Sequence, residues 1–464
     1  MKKQSMNVHI FGRSMCRPRL RATALVIAMG LASSAGAVDL LGVYELAQKN
    51  DAELRAAERR LDVAEEFPRQ ARATLLPSIT GSASRSFGNS EPKVGGATLP
   101  SSDVDQENYR VSLNQSLYDD GNWGQLARGK AQLAAADAQY KEARQAFLYR
   151  VTQRYFDVLT ALDSVTFANA ELTALRRQFE QAEQRFEVGL AAVTDVHEAR
   201  AAYDGARARL ILAENVLADA KEAMRETAGT YFEAFARLMD EIPLEEPNPM
   251  GSEAWVRMAL QSSPLVMQQQ GQVDVAKADL RIARSGHLPS LSVSGSYSRN
   301  INNEFTARDP ETQAPIGITS FETNGWQAQL TLNVPIFQGF ATNSRRRQAG
   351  FSLQVADEIL DQTQRAVVRQ TETAYRGVVA GIREVEARRQ ALVSANSALE
   401  ATNAGFEVGT RTIVDVLLSE QRFYQAERDY SRARHQFILN QLRLKQAAGQ
   451  LSDSDLAAVN QLLE

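Results

Sequence analysis

The sequence predicts an α+β membrane protein built from two internal repeats, each joining amphipathic strands to very long coiled-coil helices. Three observations carry that prediction. No proline falls between Pro100 and Pro243, and apolar residues there recur at helical spacing. Four short runs instead alternate apolar residues with Ser, Thr, Asn and Gln. The motif "FEVG" occurs twice, at 186–189 and 406–409, at the same place in each half.

The first element is a leader. Lys2, Lys3, Arg13, Arg17, Arg19 and Arg21 precede an apolar run from Ala22 to Ala32, and no acid occurs in residues 1–37. Small residues follow, ending Ala35-Gly36-Ala37. This is the pattern of a signal peptide over 1–37 with an Ala-x-Ala cleavage site after Ala37. Losing those six positive charges takes the formal net charge from −4 to −10, which argues against a nucleic-acid partner. The single cysteine, Cys16, lies before the apolar run, so no lipid anchor and no disulfide are expected. Beyond residue 37 no apolar stretch is long enough for a membrane-spanning helix, and the mean hydropathy of −0.33 agrees.

The repeats span 38–250 and 251–464. "LDVAEEFPRQARATLLPSITGSAS" (61–84) matches "VDVAKADLRIARSGHLPSLSVSGS" (273–296). Further on, "VSLNQSLYDDG" (111–121) matches "LTLNVPIFQGF" (330–340), and Asp195-Val196 matches Asp415-Val416. Each half therefore reads helix, strand pair, long helix, break, helix. Strands are expected at 79–88, 108–118, 290–299 and 325–337. Helices are expected at 122–187, 192–228, 341–407 and 412–448. A helix from Trp123 to Phe186 is about 64 residues, or ~96 Å at ~1.5 Å per residue. Such rods need partners along their whole length, which means coiled-coil packing. Pro243, Pro247 and Pro249 break the helical pattern and mark 229–250 as the linker between the repeats. The stretches 89–107 and 301–324 read as extracellular loops.

The strand runs are the length of membrane-spanning β-strands. Leu330, Leu332 and Val334 alternate with Gln329, Thr331 and Asn333, which suits lipid on one face and water on the other. Trp326, Phe337 and Tyr118 fit interfacial aromatics. Four strands cannot close a barrel, and an open edge in lipid strands backbone groups. The barrel is therefore shared between chains, and two, three or four copies all satisfy that requirement.

At the two breaks, "FEVGLAAVTDVH" (186–197) and "FEVGTRTIVDVL" (406–417), a long helix must turn back. Gly189 and Gly409 supply a positive-φ turn, and Thr194 or Thr412 can start the returning helix. No enzyme motif competes with this reading. His9, His197, His287 and His435 are scattered, and there is no P-loop, Gly-x-Ser-x-Gly or Gly-x-Gly-x-x-Gly run. No catalytic residue, metal or cofactor is expected. A periplasmic coiled-coil scaffold would lack the strands, and a self-contained porin would lack the long helices.

"VGTRTIVDVL" (408–417), "FILNQLRLKQAAGQL" (437–451), "VGLAAVTDV" (188–196), Leu76-Pro77-Ser78 and Leu288-Pro289-Ser290 resemble the TolC family of outer-membrane export channels. The resemblance runs from Leu41 to Leu463. It implies a homotrimer with a twelve-stranded barrel in outer-membrane lipid and an α-helical tunnel through the periplasm. It also implies two partners, a periplasmic adaptor and an inner-membrane ABC or proton-driven transporter, for type I secretion or drug efflux. The missing lipidation cysteine places the chain nearer the TolC and type I secretion branch than the lipoprotein efflux factors.

Carried over residue by residue, the resemblance makes Thr194, Asp195, Phe406, Arg411 and Asp415 the gate at the tunnel entrance. The turns Val188-Gly189-Leu190 and Val408-Gly409-Thr410 become the adaptor-docking tips. Two positions depart from the family pattern. Phe406 stands where the family has a tyrosine that bonds to the aspartate matching Asp195, and Leu418 stands where it has a second acid. Closure is expected to rest more on packing than on hydrogen bonds. Three Asp415 carboxylates around one axis repel, which is expected to raise at least one pKa.

Overall fold

The computed structural model describes residues 37–464 except 91–92, 95–96, 99–101, 310–311, 313 and 319. The leader, with Cys16, lies outside the described residues. The first half runs α1 (Leu40–Asn50), α2 (Ala52–Ala73), β1 (Ser78–Ser90), β2 (Lys93–Val94), β3 (Ala97–Thr98), β4 (Ser102–Tyr118), α3 (Asp120–Glu187) and α4 (Val193–Ala228). The second runs α5 (Ser252–Ser262), α6 (Pro264–Ser285), β5 (Ser290–Arg308), β6 (Pro315–Ile318), β7 (Phe321–Asn333), α7 (Ala341–Glu407), α8 (Ile413–Ala447) and α9 (Asp453–Asn460). Among the described residues no helix is long and apolar enough to cross a membrane.

Helices α3 and α7 have 68 and 67 residues, so each is about 100 Å long. In the upper part α2 packs on α3, α3 on α6 and α6 on α7. Lower down the order is α4, α3, α8, α7. Small residues let the rods close up. A Cβ on Gly271 of α6 would lie 2.8 Å from the Cβ of Ala135 on α3, so only glycine permits that approach. The entering helix of each half is split in two. Asp51 ends α1 and caps α2, its carboxylate accepting from the Leu54 amide at 2.6 Å. At the matching point Ser263-Pro264 separates α5 from α6.

The four main strands form one antiparallel sheet in the order β1-β4-β5-β7, with β6 added at the end of β5. One face carries rows such as Gly81-Val111-Tyr297-Trp326 and Ile79-Leu113-Gly295-Ala328. The other carries Thr80-Ser112-Ser296-Gln327. Strands β1 and β7 are the open edges of this sheet, and they continue from α2 and into α7, the edge helices of the upper rods.

Strand limits differ from the sequence reading. The strand expected at 108–118 begins at Ser102, and the one expected at 290–299 continues to Arg308. Much of 89–107 and 301–324 is therefore ladder rather than loop. Beyond the apolar band charged and polar residues mix with apolar ones such as Phe87 and Ile301, so regular alternation disappears while backbone pairing continues. Cross-strand ion pairs, such as Arg85 with Asp105 at 2.8 Å, take over there. The strand expected to reach 337 stops at Asn333, because Pro335 has no amide to donate to a ladder.

The main core lies where the linker crosses the rods. Leu40, Val43, Phe147, Tyr155, Met224, Ile438 and Leu456 are buried together there. Val38 bridges to Phe235 and Leu238 to Leu463, so both ends of the described chain are tied to the linker. The Tyr155 hydroxyl donates to the Ala236 carbonyl at 2.8 Å. Arg434 of α8 donates to the carbonyls of Met239 and Asp240 at 3.1 and 2.9 Å.

Candidate functional site

The far ends of α3/α4 and α7/α8 are two tips with nearly the same backbone. Gly189 has φ 77° and Gly409 has φ 79°. Each amide donates to the carbonyl of the phenylalanine three residues earlier, Phe186 at 2.9 Å and Phe406 at 3.1 Å. The next amides, Leu190 and Thr410, close the turn on Arg185 and Gly405 at 2.7 and 2.8 Å. These are left-handed helix terminations that need glycine. Val188, Leu190 and Val408 are 69, 71 and 75% exposed, so apolar side chains face outward at both tips.

The returning helices start differently. Helix α8 opens on a capping box, with the Thr412 hydroxyl and amide donating to Asp415 Oδ2 at 2.8 and 3.0 Å. The Asp415 amide donates back to Thr412 Oγ1 at 3.3 Å. Helix α4 has Ala192 at its N-cap and no side-chain cap. Thr194 already lies inside that helix and caps nothing, so of the two expected starters only Thr412 acts as one.

The gate residues divide into two groups. Phe406 is half-buried in an apolar cluster with Leu175, Ala199, Ile413 and Leu417, and the Arg185 guanidinium lies 4.9 Å above its ring. Packing therefore replaces the absent hydroxyl. Asp415 is bound by its own helix start. The Thr412 amide and hydroxyl, helped by nearby Arg411, hold its carboxyl below the usual carboxylate range. Within the protomer this opposes the upward shift expected from a ring of carboxylates. Among the described residues Thr194, Asp195 and Arg411 make no side-chain hydrogen bond or ion pair inside the protomer. Gly405 leaves space for Arg411, since a Cβ there would lie 2.8 Å from Arg411 Cγ.

Sequence reasoning missed a buried polar brace above the tips. Glu171 of α3 has no exposed surface and accepts from Arg209 of α4 at 2.7 Å and Arg428 of α8 at 3.0 Å. One carboxylate thus ties the two helical hairpins together. Glu420 of α8 lies beside it, accepting from Gln178 at 3.2 Å. Burial pushes the Glu420 carboxyl up, and the Glu171 charge adds to that against the Gln178 bond. The available signal was register: Glu171 falls on the seam that also carries Ala168 and Leu175. Higher up, His435 bonds Thr160 at 2.8 Å, and burial pushes its pKa down to about 3.

A strand sheet with a lipid-type band, continuous with rods about 100 Å long that end in bare apolar turns, defines a channel-tunnel protomer. The comparisons agree. The model of the outer membrane efflux protein family matches residues 43–230 and 255–450, and the chain belongs to that family. It is 37% identical to the outer membrane protein TolC of Vibrio cholerae, covering 93% of this chain and 95% of that one. It is 25% identical to the proteases secretion protein PrtF of Dickeya chrysanthemi, covering 94% of each. The structure of the outer membrane protein VceC from Vibrio cholerae superposes with a TM-score of 0.73 at 19% identity, covering 88% of this chain and 96% of that one.

Proposed function

We propose that three copies of the mature chain, cleaved after Ala37, form an export duct through the outer membrane and periplasm. Substrate enters at the tips from an inner-membrane transporter and its periplasmic adaptor. The observation that carries this reading is the pair of open edges. Strands β1 and β7 each leave one side unpaired in the protomer, and an unpaired edge is not tolerated in lipid. Copies joined β7 to β1 remove every edge, and the same contact brings α7 of one copy to α2 of the next. The names of the relatives favour secretion of proteins or efflux of small molecules, and one duct serves either cargo.

Thr194, Asp195 and Arg411 are the gate residues left free to contact a neighbouring copy, while Phe406 and Asp415 fix the shape of each tip. Val188-Gly189-Leu190 and Val408-Gly409-Thr410 receive the adaptor. Nothing lies within 4 Å of a Cβ built on Gly189 or Gly409, so another helix tip has room to approach both.

The test is Gly189→Glu or Gly409→Glu in cells that depend on this chain for export. Outer-membrane trimer yield is the control, because a side chain at positive φ costs about 1 kcal/mol or more. Normal trimers with lost export and lost adaptor cross-linking are expected. Normal trimers with full export would reject docking, and a chain found in the cytosol or monomeric in the outer membrane would reject the duct.

A further inference from the structure

The polar face of the sheet is almost free of charge. In the barrel reading, on which this inference rests, that face is the lumen. Its side chains are the even-numbered residues of β1, β4 and β5 and the odd-numbered residues of β7. Over 78–88, 106–116, 290–302 and 323–333 they are Ser, Thr, Asn, Gln or Gly, with one exception. The exception is Arg110 of β4.

Arg110 sits in register with Ser82 of β1 and Ser298 of β5. Along its own strand the same-face neighbours are Asn108 and Ser112. Arg110 is exposed, and among the described residues it has no ion-pair or side-chain hydrogen-bond partner. The opposite face of the same sheet treats its arginines differently. Arg85 is held by Asp105 at 2.9 and 2.8 Å, and Arg299 by Glu322 at 2.6 Å. The outward arginines are thus neutralised while the inward one is bare.

We infer that Arg110 forms an anion-binding ring in the barrel, one guanidinium from each copy, which selects for multivalent anions such as polyphosphates and polycarboxylates. A guanidinium offers a planar set of donors that fits phosphate and carboxylate. Rings of arginine inside a narrow low-dielectric wall concentrate anions from solution. Small neutral neighbours supply no internal counter-charge and leave the donors accessible. The duct would then be cationic in its barrel and acidic at its periplasmic tips, where Asp195 and Asp415 lie.

The experiment uses the full mature trimer in planar bilayers, with tripolyphosphate added on the barrel side. Wild-type current should be blocked, and the block should weaken from 0.15 M to 1 M salt as the Debye length falls from about 8 to about 3 Å. Arg110→Gln should raise the half-blocking concentration at least about tenfold and shift the reversal potential toward cations. Arg110→Lys should retain the block. Ser298→Glu, which sets a carboxylate beside Arg110, should remove it by neutralisation, and this variant decides the matter if Arg110→Gln fails to assemble. Normal Arg110→Gln or Ser298→Glu pores with an unchanged block would overturn the ring. Wild-type pores insensitive to tripolyphosphate would overturn the ring alone, whereas a wild type that forms neither trimers nor pores would overturn the duct as well.

Discussion

The two returning helices, α4 and α8, occupy equivalent places in the two repeats and meet opposite surroundings. Helix α8 lies between α3 and α7 and buries Val416, Glu420, Ser431, Arg434, His435 and Phe437. Helix α4 packs mainly on α3, buries small residues such as Ala199 and Ala206, and exposes Ile211, Leu212 and Val216. The repeated backbone therefore does not dictate the side chains. Position in the fold does: the interior helix buries polar residues such as Glu420, Arg434 and His435, and the edge helix leaves an apolar stripe exposed.

Several substitutions separate the two helices. The largest effect is expected from Glu171→Ala, which strips Arg209 and Arg428 of their shared carboxylate. Breaking a buried pair costs about 3–5 kcal/mol, and the lower end applies because both arginines reach water. Chemical denaturation should show the loss, and Glu171→Gln should recover part of it. If Glu171→Ala were neutral, the hairpins would be held by the apolar cluster alone.

On the edge helix, Ile211→Asn should act on assembly instead. Losing one apolar side chain from an interface costs about 2 kcal/mol. Trimer yield should fall while the unfolding midpoint of the protomer stays within about 0.5 kcal/mol of the wild type. A protomer destabilised as much as the trimer would mean that this stripe packs inside the chain.

The interior helix should also make stability sensitive to acid. The folded pKa of His435, about 3, lies below its unfolded value near 6.5, so the unfolded chain binds the extra proton between those limits. Its contribution is complete above pH 6.5 and is lost as pH falls toward 3, at about 1.4 kcal/mol per unit. The raised Glu420 works the other way, favouring the fold as its carboxyl takes up a proton. His435→Gln should flatten the fall in stability between pH 6.5 and 4.5, as read by denaturant midpoints. An unchanged slope would place the acid sensitivity elsewhere.

The smallest effect compares the helix starts. Thr412→Ala should cost about 1 kcal/mol by removing a cap, whereas Thr194→Ala should stay within about 0.5 kcal/mol. Equal costs would show that both threonines serve the tips alike.

Much of this architecture was legible because it rests on repeating patterns. Proline-free helical spacing located α3 and α7, and the doubled "FEVG" located both turns with their glycines. Alternation marks the strands only where their two faces differ in polarity, so the ends of β4 and β5 look like loops in the sequence. The Glu171 brace was hidden because three residues distant in sequence meet only after the hairpins pack. Phe406 has no hydroxyl to donate, and its packing under Arg185 depends on contacts that spacing does not encode. The missing cap of α4 follows from Ala192 standing at its N-cap, two residues before Thr194.

If contacts between copies close the duct at its tips, the single-channel conductance of Arg411→Ser beside the wild type should reveal it. Among the described residues Arg411 makes no side-chain hydrogen bond or ion pair inside the protomer, and its stem packs over Gly405. Its loss should loosen the entrance without touching the barrel or the brace. The wild-type pore should show low conductance and the Arg411→Ser pore clearly higher conductance at equal trimer yield. Equal conductances from equally assembled trimers would contradict it.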